Sequence, residues 1–470
     1  MESLNQEVNF RETDLEHFPF TPGSSFHVVR LQETSGTPDT QLTYEVPNYE
    51  SGDIFLRSLG SVSAPQLCVQ EPGLLLVMHS RHKPVFGKPV NIMAVPYEQG
   101  TFRRILERLY QHRSLAFLHG RTSTAVFNIR PVTMNSGGSE NSAIVYNCKS
   151  DTASPAKPDD VAMSVTHLPS QRMTYAMMYG CTPQVIKLVS AWLKVFKGQA
   201  LHPLIMPLVF AELERKRLFN VLDREQMELR QWILTLEDKL RLESELPKPD
   251  TEEVELVAQS RDTQSTKLWL DVSILKNGLE SLHDQLVKMI EHSEILATTV
   301  FKQPAHGSQD VDHHTEERKT GERIKTRLSE MIAEFDSKVR TCDSLLGGMA
   351  LAAQMESNYY TRRDAKVAIA IAFATKKDGS QMKSISHLGM IFLPGTFLAS
   401  IFSMSFFNWT PPDSSQIISP WVAIYFAMAL VVTVLTVWRM REWMKKEELR
   451  AMKQFLKDIG DVESQPTRDL

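Results

Sequence analysis

Ser386, Gly389, Leu393, Thr396, Ser400 and Ser403 recur at spacings of three and four in the last fifth of the chain. Such spacing places them along one face of a helix. Five of these six are small or hydroxylated, whereas the opposite faces carry Ile391, Phe392, Phe397, Leu398, Ile401 and Phe402. Two kinds of chemistry fit. Small residues let a second helix approach closely, with Ser and Thr satisfied by main-chain carbonyls. Alternatively, hydroxyls and freed carbonyls line a wet path and replace part of an ion's hydration shell. On the stripe alone, packing is the commoner use.

The element carrying the stripe, Ile385 to Phe407, holds no Asp, Glu, Lys or Arg in 23 residues, and only His387 is ionisable. As a helix it is roughly 34 Å long, enough to cross a hydrocarbon core of ~30 Å. A second run of 22 residues, Ile417 to Trp438, repeats the feature. Between them, Asn408 to Gln416 contains Pro411, Pro412 and Asp413, a polar turn. The expectation is transmembrane helix 1 at 385–407, an extracytosolic turn at 408–416 and transmembrane helix 2 at 417–438. Lys376, Lys377 and Lys383 precede the first span; Arg439, Arg441, Lys445, Lys446 and Arg450 follow the second. The positive-inside rule then puts both termini in the cytosol, with two spans in membrane lipid. Trp409, Trp421, Tyr425 and Trp438 fall near the expected interfaces. His387 is one position off the stripe and close to the cytosolic interface, which favours packing or snorkelling over a functional role.

Composition narrows the rest. A formal charge of −4 argues against nucleic acid as a partner. Cys68, Cys148, Cys181 and Cys342 show no paired spacing and read as reduced. The acidic, polar N-terminus has neither the form of a signal peptide nor that of a transit peptide. No glycine-rich phosphate loop, nucleophile elbow or nucleophile–base set stands out, so neither an enzyme nor a resident cofactor is expected.

Ahead of the hairpin, the chain divides by periodicity. Residues 1–24 read as a flexible N-terminus and 25–199 as a cytosolic α/β domain with a mostly antiparallel sheet. Its strand candidates are 26–31, 74–78, 124–130, 142–147, 161–168 and 173–179, with loops at 134–142 and 151–160. One helix follows Thr101 as N-cap; another has Thr182 as N-cap and Pro183 at its first position. Residues 200–384 read as a stalk of long helices. There Leu268, Val272, Leu275, Leu279, Leu282, Leu286 and Met289 form a coiled-coil-like seam. A polar linker at 303–314 precedes a third helix, which Gly347-Gly348 and Gly379 are placed to bend. Its segment 367–374 alternates with period two, yet its alanines favour helix. Residues 439–470 form a basic cytosolic tail. The fold class is α+β with a membrane hairpin.

This order of parts resembles the CorA superfamily of divalent-cation transporters. Pro394-Gly395-Thr396-Phe397 is similar to the family's Pro-x-Thr-Phe segment, and Ser403-Met404-Ser405 falls where the family has Gly-Met-Asn. The run from Phe392 to Phe407 is most similar to the divergent fungal-type branch. The likeness is sharp over 380–440, architectural over the helices, and only one of class over the first 200 residues. It implies a homopentamer with the first span inside, lined by Met382, Gly389, Leu393, Thr396, Ser400 and Ser405. The signature position, Ser403, Met404 and Ser405, then sits at the outer mouth. Met382 and Leu393 are placed to constrict the path. Asp413 either rings the outer turn or simply ends it. Asp310, Asp312, His313 and His314, with His306, Glu334 and Asp336, are the candidates for cytosolic cation sites, although solvated charges are the commoner meaning of such clusters. The implied substrate is a divalent metal cation: Mg²⁺, or a transition metal such as Zn²⁺, Ni²⁺ or Co²⁺. Serines in place of Gly and Asn offer a hydrated ion fewer groups, so Mg²⁺ selectivity does not follow. The alternative is a membrane-anchored scaffold or sensor that keeps the fold without conducting.

Overall fold

A computed structural model of the chain describes residues 8–16, 18–21, 26–33, 42–45, 51–59, 72–81, 92–119, 124–136, 139–153, 159–245, 251–301, 311–403 and 420–463. It divides into two compact units, 1–354 and 355–470. In order the elements are α1 (Glu12–Leu15), β1 (Phe26–Glu33), β2 (Leu42–Glu45), α2 (Gly52–Ser58), β3 (Gly73–Ser80) and α3 (Gln99–Arg108). Then come β4 (Val126–Ser136), β5 (Ser139–Lys149), β6 (Ala162–Leu168), β7 (Met173–Cys181), α4 (Pro183–Phe196) and α5 (Ile205–Glu245). The last three are α6 (Thr251–Thr299), α7 (Val311–Phe402) and α8 (Pro420–Glu463).

The first unit is built on one seven-stranded sheet of order β2-β1-β3-β7-β6-β5-β4. Every pairing is antiparallel except β3 with β7, which run parallel. Strand side chains alternate between two cores because successive Cβ atoms point to opposite faces. Val29, Leu74, Leu76, Met163 and Met178 enter one core, shared with α4, α5, α6 and α7. Val28, Leu75, Val77, Tyr175 and Tyr179 enter the other, closed by α3 and the segment around Phe10 and Phe18. β6 and β7 are buried along their whole length. Arg172 turns the chain between them at φ 49° and reaches Glu33 and Glu317 at 3.2 and 2.9 Å.

Several expectations are corrected. The stretch 134–142 is not a loop: β4 and β5 pair from Val126↔Lys149 to Ser136↔Ser139, leaving only two residues between the strands. Polar composition disguised a hairpin whose connecting residues are Gly137-Gly138, a sequence suited to a tight turn. Thr101 is not an N-cap; α3 begins at Gln99 after Glu98, and the Thr101 hydroxyl instead donates to Asp53 at 3.1 Å. The edge strand β2, four residues long, was missed. At Thr182 the expectation holds, since its Oγ1 accepts the Val185 N–H at 3.3 Å.

The long helices of this unit pack as the seam predicts. Leu268, Val272, Leu275, Leu279, Leu282, Leu286 and Met289 on α6 are all buried, as are Ile324, Leu328 and Phe335 on α7. Phe219 of α5 meets Phe335 at 5.1 Å between ring centroids. α7 runs without a break through Gly347, Gly348 and Gly379, and 367–374 is helical. It begins at Val311, so Asp312, His313 and His314 belong to its first turn and not to a linker. An acid there complements the positive end of the helix dipole.

Candidate functional site

In the second unit, α7 and α8 meet along a narrow seam. The less exposed positions on α7 near its end are Met390, Pro394, Gly395, Leu398 and Ile401; on α8 they are Val422, Tyr425, Ala429, Val432, Thr433, Thr436, Val437 and Met440. Both sets repeat at three and four, as a helix–helix contact requires. Tyr425 Oη donates to the Gly395 carbonyl at 3.2 Å and joins the two helices. The sequence reading took Tyr425 as an interfacial ring only. Its spacing from Ala429 was the available signal.

The hydroxyl stripe lies elsewhere. At 100° per residue, Met382, Gly389, Leu393, Thr396, Ser400 and Ser403 point roughly 150° round the helix from the seam. All six are exposed, with Met382 at 73% and Leu393 at 71%. The stripe is therefore not the packing face of this helix pair. His387 falls on the other side, roughly 160° from the stripe. Its Nδ1 lies 2.6 Å from the Lys383 carbonyl.

The geometry of the hydroxyls gives this face its chemistry. Thr396 Oγ1 donates to the carbonyls of Phe392 and Leu393 at 3.2 and 3.0 Å. Ser400 Oγ donates to the Thr396 carbonyl at 3.0 Å. Each hydroxyl spends its hydrogen on its own helix. What remains directed outward is oxygen lone pairs, the group a cation coordinates. Pro394 has no N–H to give the Met390 carbonyl, but both residues lie on the seam side and not on the stripe.

The faces around stripe and seam are apolar and exposed: Phe392 62%, Phe397 66%, Phe426 66% and Leu430 67%. Among the described residues, two helices are long and apolar enough to cross a membrane, one within Thr315–Ile401 and the other at Val422–Trp443.

Of the other candidate residues, Met404, Ser405, Asp413, His306 and Asp310 lie outside the described residues. Ser403 ends the stripe, its N–H donating to Ala399 at 3.0 Å. Glu334 is held by Arg215 at 2.8 Å and Arg327 at 3.5 Å, so its charge is already balanced. Asp336 lies 3.6 Å from His283 Nε2. Among the described residues, no group of three or more His, Cys, Asp or Glu is placed to hold a metal ion.

No family model matches the chain, and no curated protein matches it by sequence. Among solved structures it is similar to the CorA magnesium transporter from Methanocaldococcus jannaschii, at 10% identity and a TM-score of 0.34, covering 88% of this chain and 97% of that one. It is also similar to the ZntB cytoplasmic domain from Vibrio parahaemolyticus RIMD 2210633, at 13% identity and a TM-score of 0.32, covering 69% of this chain and 98% of that one. At this level of likeness, what the chain does has to be argued from its own helix geometry.

Proposed function

We propose that the chain is a membrane channel-type transporter in which several copies turn the α7 stripe toward a shared axis and pass divalent metal cations. The observation that carries the reading is the exposure of Thr396 and Ser400 opposite the α8 seam, with their hydrogens already committed to α7. Two spans per chain cannot enclose a path, so conduction needs an oligomer; the resemblance in the first span suggests a pentamer with α8 outside. The order of chemistry along the stripe supports the same reading. Met382 and Leu393 are eleven residues apart, so their apolar rings are separated by ~16 Å, with Thr396 and Ser400 beyond Leu393. A face of hydroxyl oxygens without carboxylates suits an ion that keeps part of its water, as Mg²⁺ does. Inward movement of a divalent ion is favoured by ~4.6 kcal/mol per 100 mV, twice the single-charge value, so the gradient can drive it. In this arrangement both termini are cytosolic and the expected turn at 408–416 is outside.

The test is metal uptake into liposomes holding the purified chain, across Mg²⁺, Zn²⁺, Ni²⁺ and Co²⁺. Voltage-dependent uptake of at least one ion is expected. A chain that assembles yet passes none of them would instead be a membrane-anchored scaffold or sensor.

A further inference from the structure

A second feature has no part in conduction. Between α3 and the sheet face of β1, β3 and β7 lies an open cleft of about 1060 Å³. Four arginines line it, Arg11, Arg30, Arg103 and Arg108, against one acid, Glu107. Four positive charges less one leave a formal +3 in a chain whose total is −4. The C-terminal end of α3 offsets only about half a charge.

Arg11 already acts on Asp14, but the other three charges are little spent on the protein. Arg30 and Arg108 make no ion pair among the described residues, and Arg108 Nη2 is buried without a hydrogen-bond partner. Among the described residues Arg103 meets only Glu107, at 3.4 Å. Gln111 is 4% exposed; its Nε2 donates to the Leu109 carbonyl at 3.0 Å, which leaves Oε1 buried on the cleft wall with no partner among the described residues. Buried polar atoms without partners are rare and call for an explanation. The cleft therefore offers guanidinium forks for oxyanions, one acceptor for an N–H or O–H, and the ring of Tyr110 set 5.4 Å from that of Tyr175. Its volume is at the upper end for sites that take small molecules, ~300–1,000 Å³.

We propose that this cleft binds a phosphorylated small molecule of nucleotide size, with Arg30, Arg103 and Arg108 on its phosphates and Gln111 Oε1 accepting from a hydroxyl or amino group. Guanidinium forks match phosphate oxygens two at a time, which a lysine cluster would not. The proposal does not depend on transport, since it concerns the face of the sheet away from the long helices.

Isothermal titration of the full chain in detergent, with EDTA present, tests it using ATP, GTP, inositol hexakisphosphate and inorganic phosphate. One site per chain is expected for a nucleotide or for the inositol phosphate, with inorganic phosphate at least tenfold weaker. Arg30→Gln, Arg103→Gln and Arg108→Gln should each weaken binding about tenfold, the usual value of one charge-assisted contact. Arg104→Gln removes the same charge from the same helix, but Arg104 faces Asp53 outside the cleft, so it should bind as the parent does. Melting curves confirm that each variant is folded. Absence of binding at millimolar ligand, equal binding of inorganic phosphate, or equal weakening by Arg104→Gln would overturn the proposal.

Discussion

The phenol of Tyr425 on α8 donates to the main-chain carbonyl of Gly395 on α7, one residue before Thr396. A hydrogen bond between spans averages about 0.6 kcal/mol and seldom exceeds 1.7. Tyr425→Phe should lower the melting temperature of the detergent-solubilised chain by a few degrees and leave its assembly intact. Unchanged melting would mean that this bond does not form in solution.

Removing one stripe oxygen at constant shape isolates the proposed ion contact. Thr396→Val should cut divalent flux about tenfold if its oxygen lowers the barrier by about 1.4 kcal/mol. Val434→Thr, on an exposed face of α8, makes the reverse change away from the stripe and should leave flux alone. Flux that ignores Thr396 but follows Val434 would put the conducting face on α8.

Glu214 and Arg217 form a buried pair on α5, with Glu214 1% and Arg217 8% exposed. Burial alone would raise the Glu214 carboxyl, but Arg217 and the Asp151 N–H outweigh it and hold the group below the usual carboxylate range. Glu214→Ala removes the carboxylate forked onto Arg217 and leaves that buried cation only the Asp151 carbonyl and the Asp151 and Asp160 charges, so chemical denaturation should report a loss of about 3 kcal/mol. A loss under 1 kcal/mol would mean that water reaches Arg217.

Acid should unfold the first unit early. Burial lowers His79, His167 and His202 from 6.5 to about 3. Their folded values lie below the unfolded one, so their contribution is complete above pH 6.5 and is lost as pH falls from there toward 3. Each costs about 1.4 kcal/mol per pH unit in that window. His112 and His292 are lowered as well, to about 4, so melting temperature should drop steeply below pH 6, and His202→Asn should flatten the slope by about a fifth of what the five histidines contribute. A flat profile down to pH 4 would show that these rings are hydrated.

The exposed apolar residues of the α7–α8 pair belong to the second unit, while residues 1–354 form a compact unit of their own. A 1–354 fragment should therefore be soluble without detergent, and the full chain should not. Sedimentation with and without detergent decides this; a fragment that aggregates would mean that its long helices need further partners.

What could be read from the chain followed periodicity. The coiled-coil seam on α6 repeats at three and four over seven residues, and every one of them is buried. β6 and β7 stood out because apolar and β-branched residues run nearly without interruption, as strands buried on both faces require. The β4–β5 hairpin tip was hidden by Asn, Ser and Glu, where main-chain pairing and not side-chain burial holds the strands. The stripe was legible as a face, but which way it turned was not. Packing and pore lining share one periodicity, and only the position of α8 separates them. The arginine cleft was illegible because Arg11, Arg30, Arg103 and Arg108 come from three separate parts of the chain, brought together by tertiary structure alone.

The parallel pairing of β3 with β7 sets a schedule for biosynthesis. Gly73 has to find Met173, a hundred residues later, and Leu76 has to find Ala176. At the ribosome's pace of ~5–20 residues per second, β1 and β3 wait roughly 5–20 s with an apolar edge unpaired. Such an edge invites other strands. The nascent chain should engage holdase chaperones between these two points of translation and leave them once β7 has emerged.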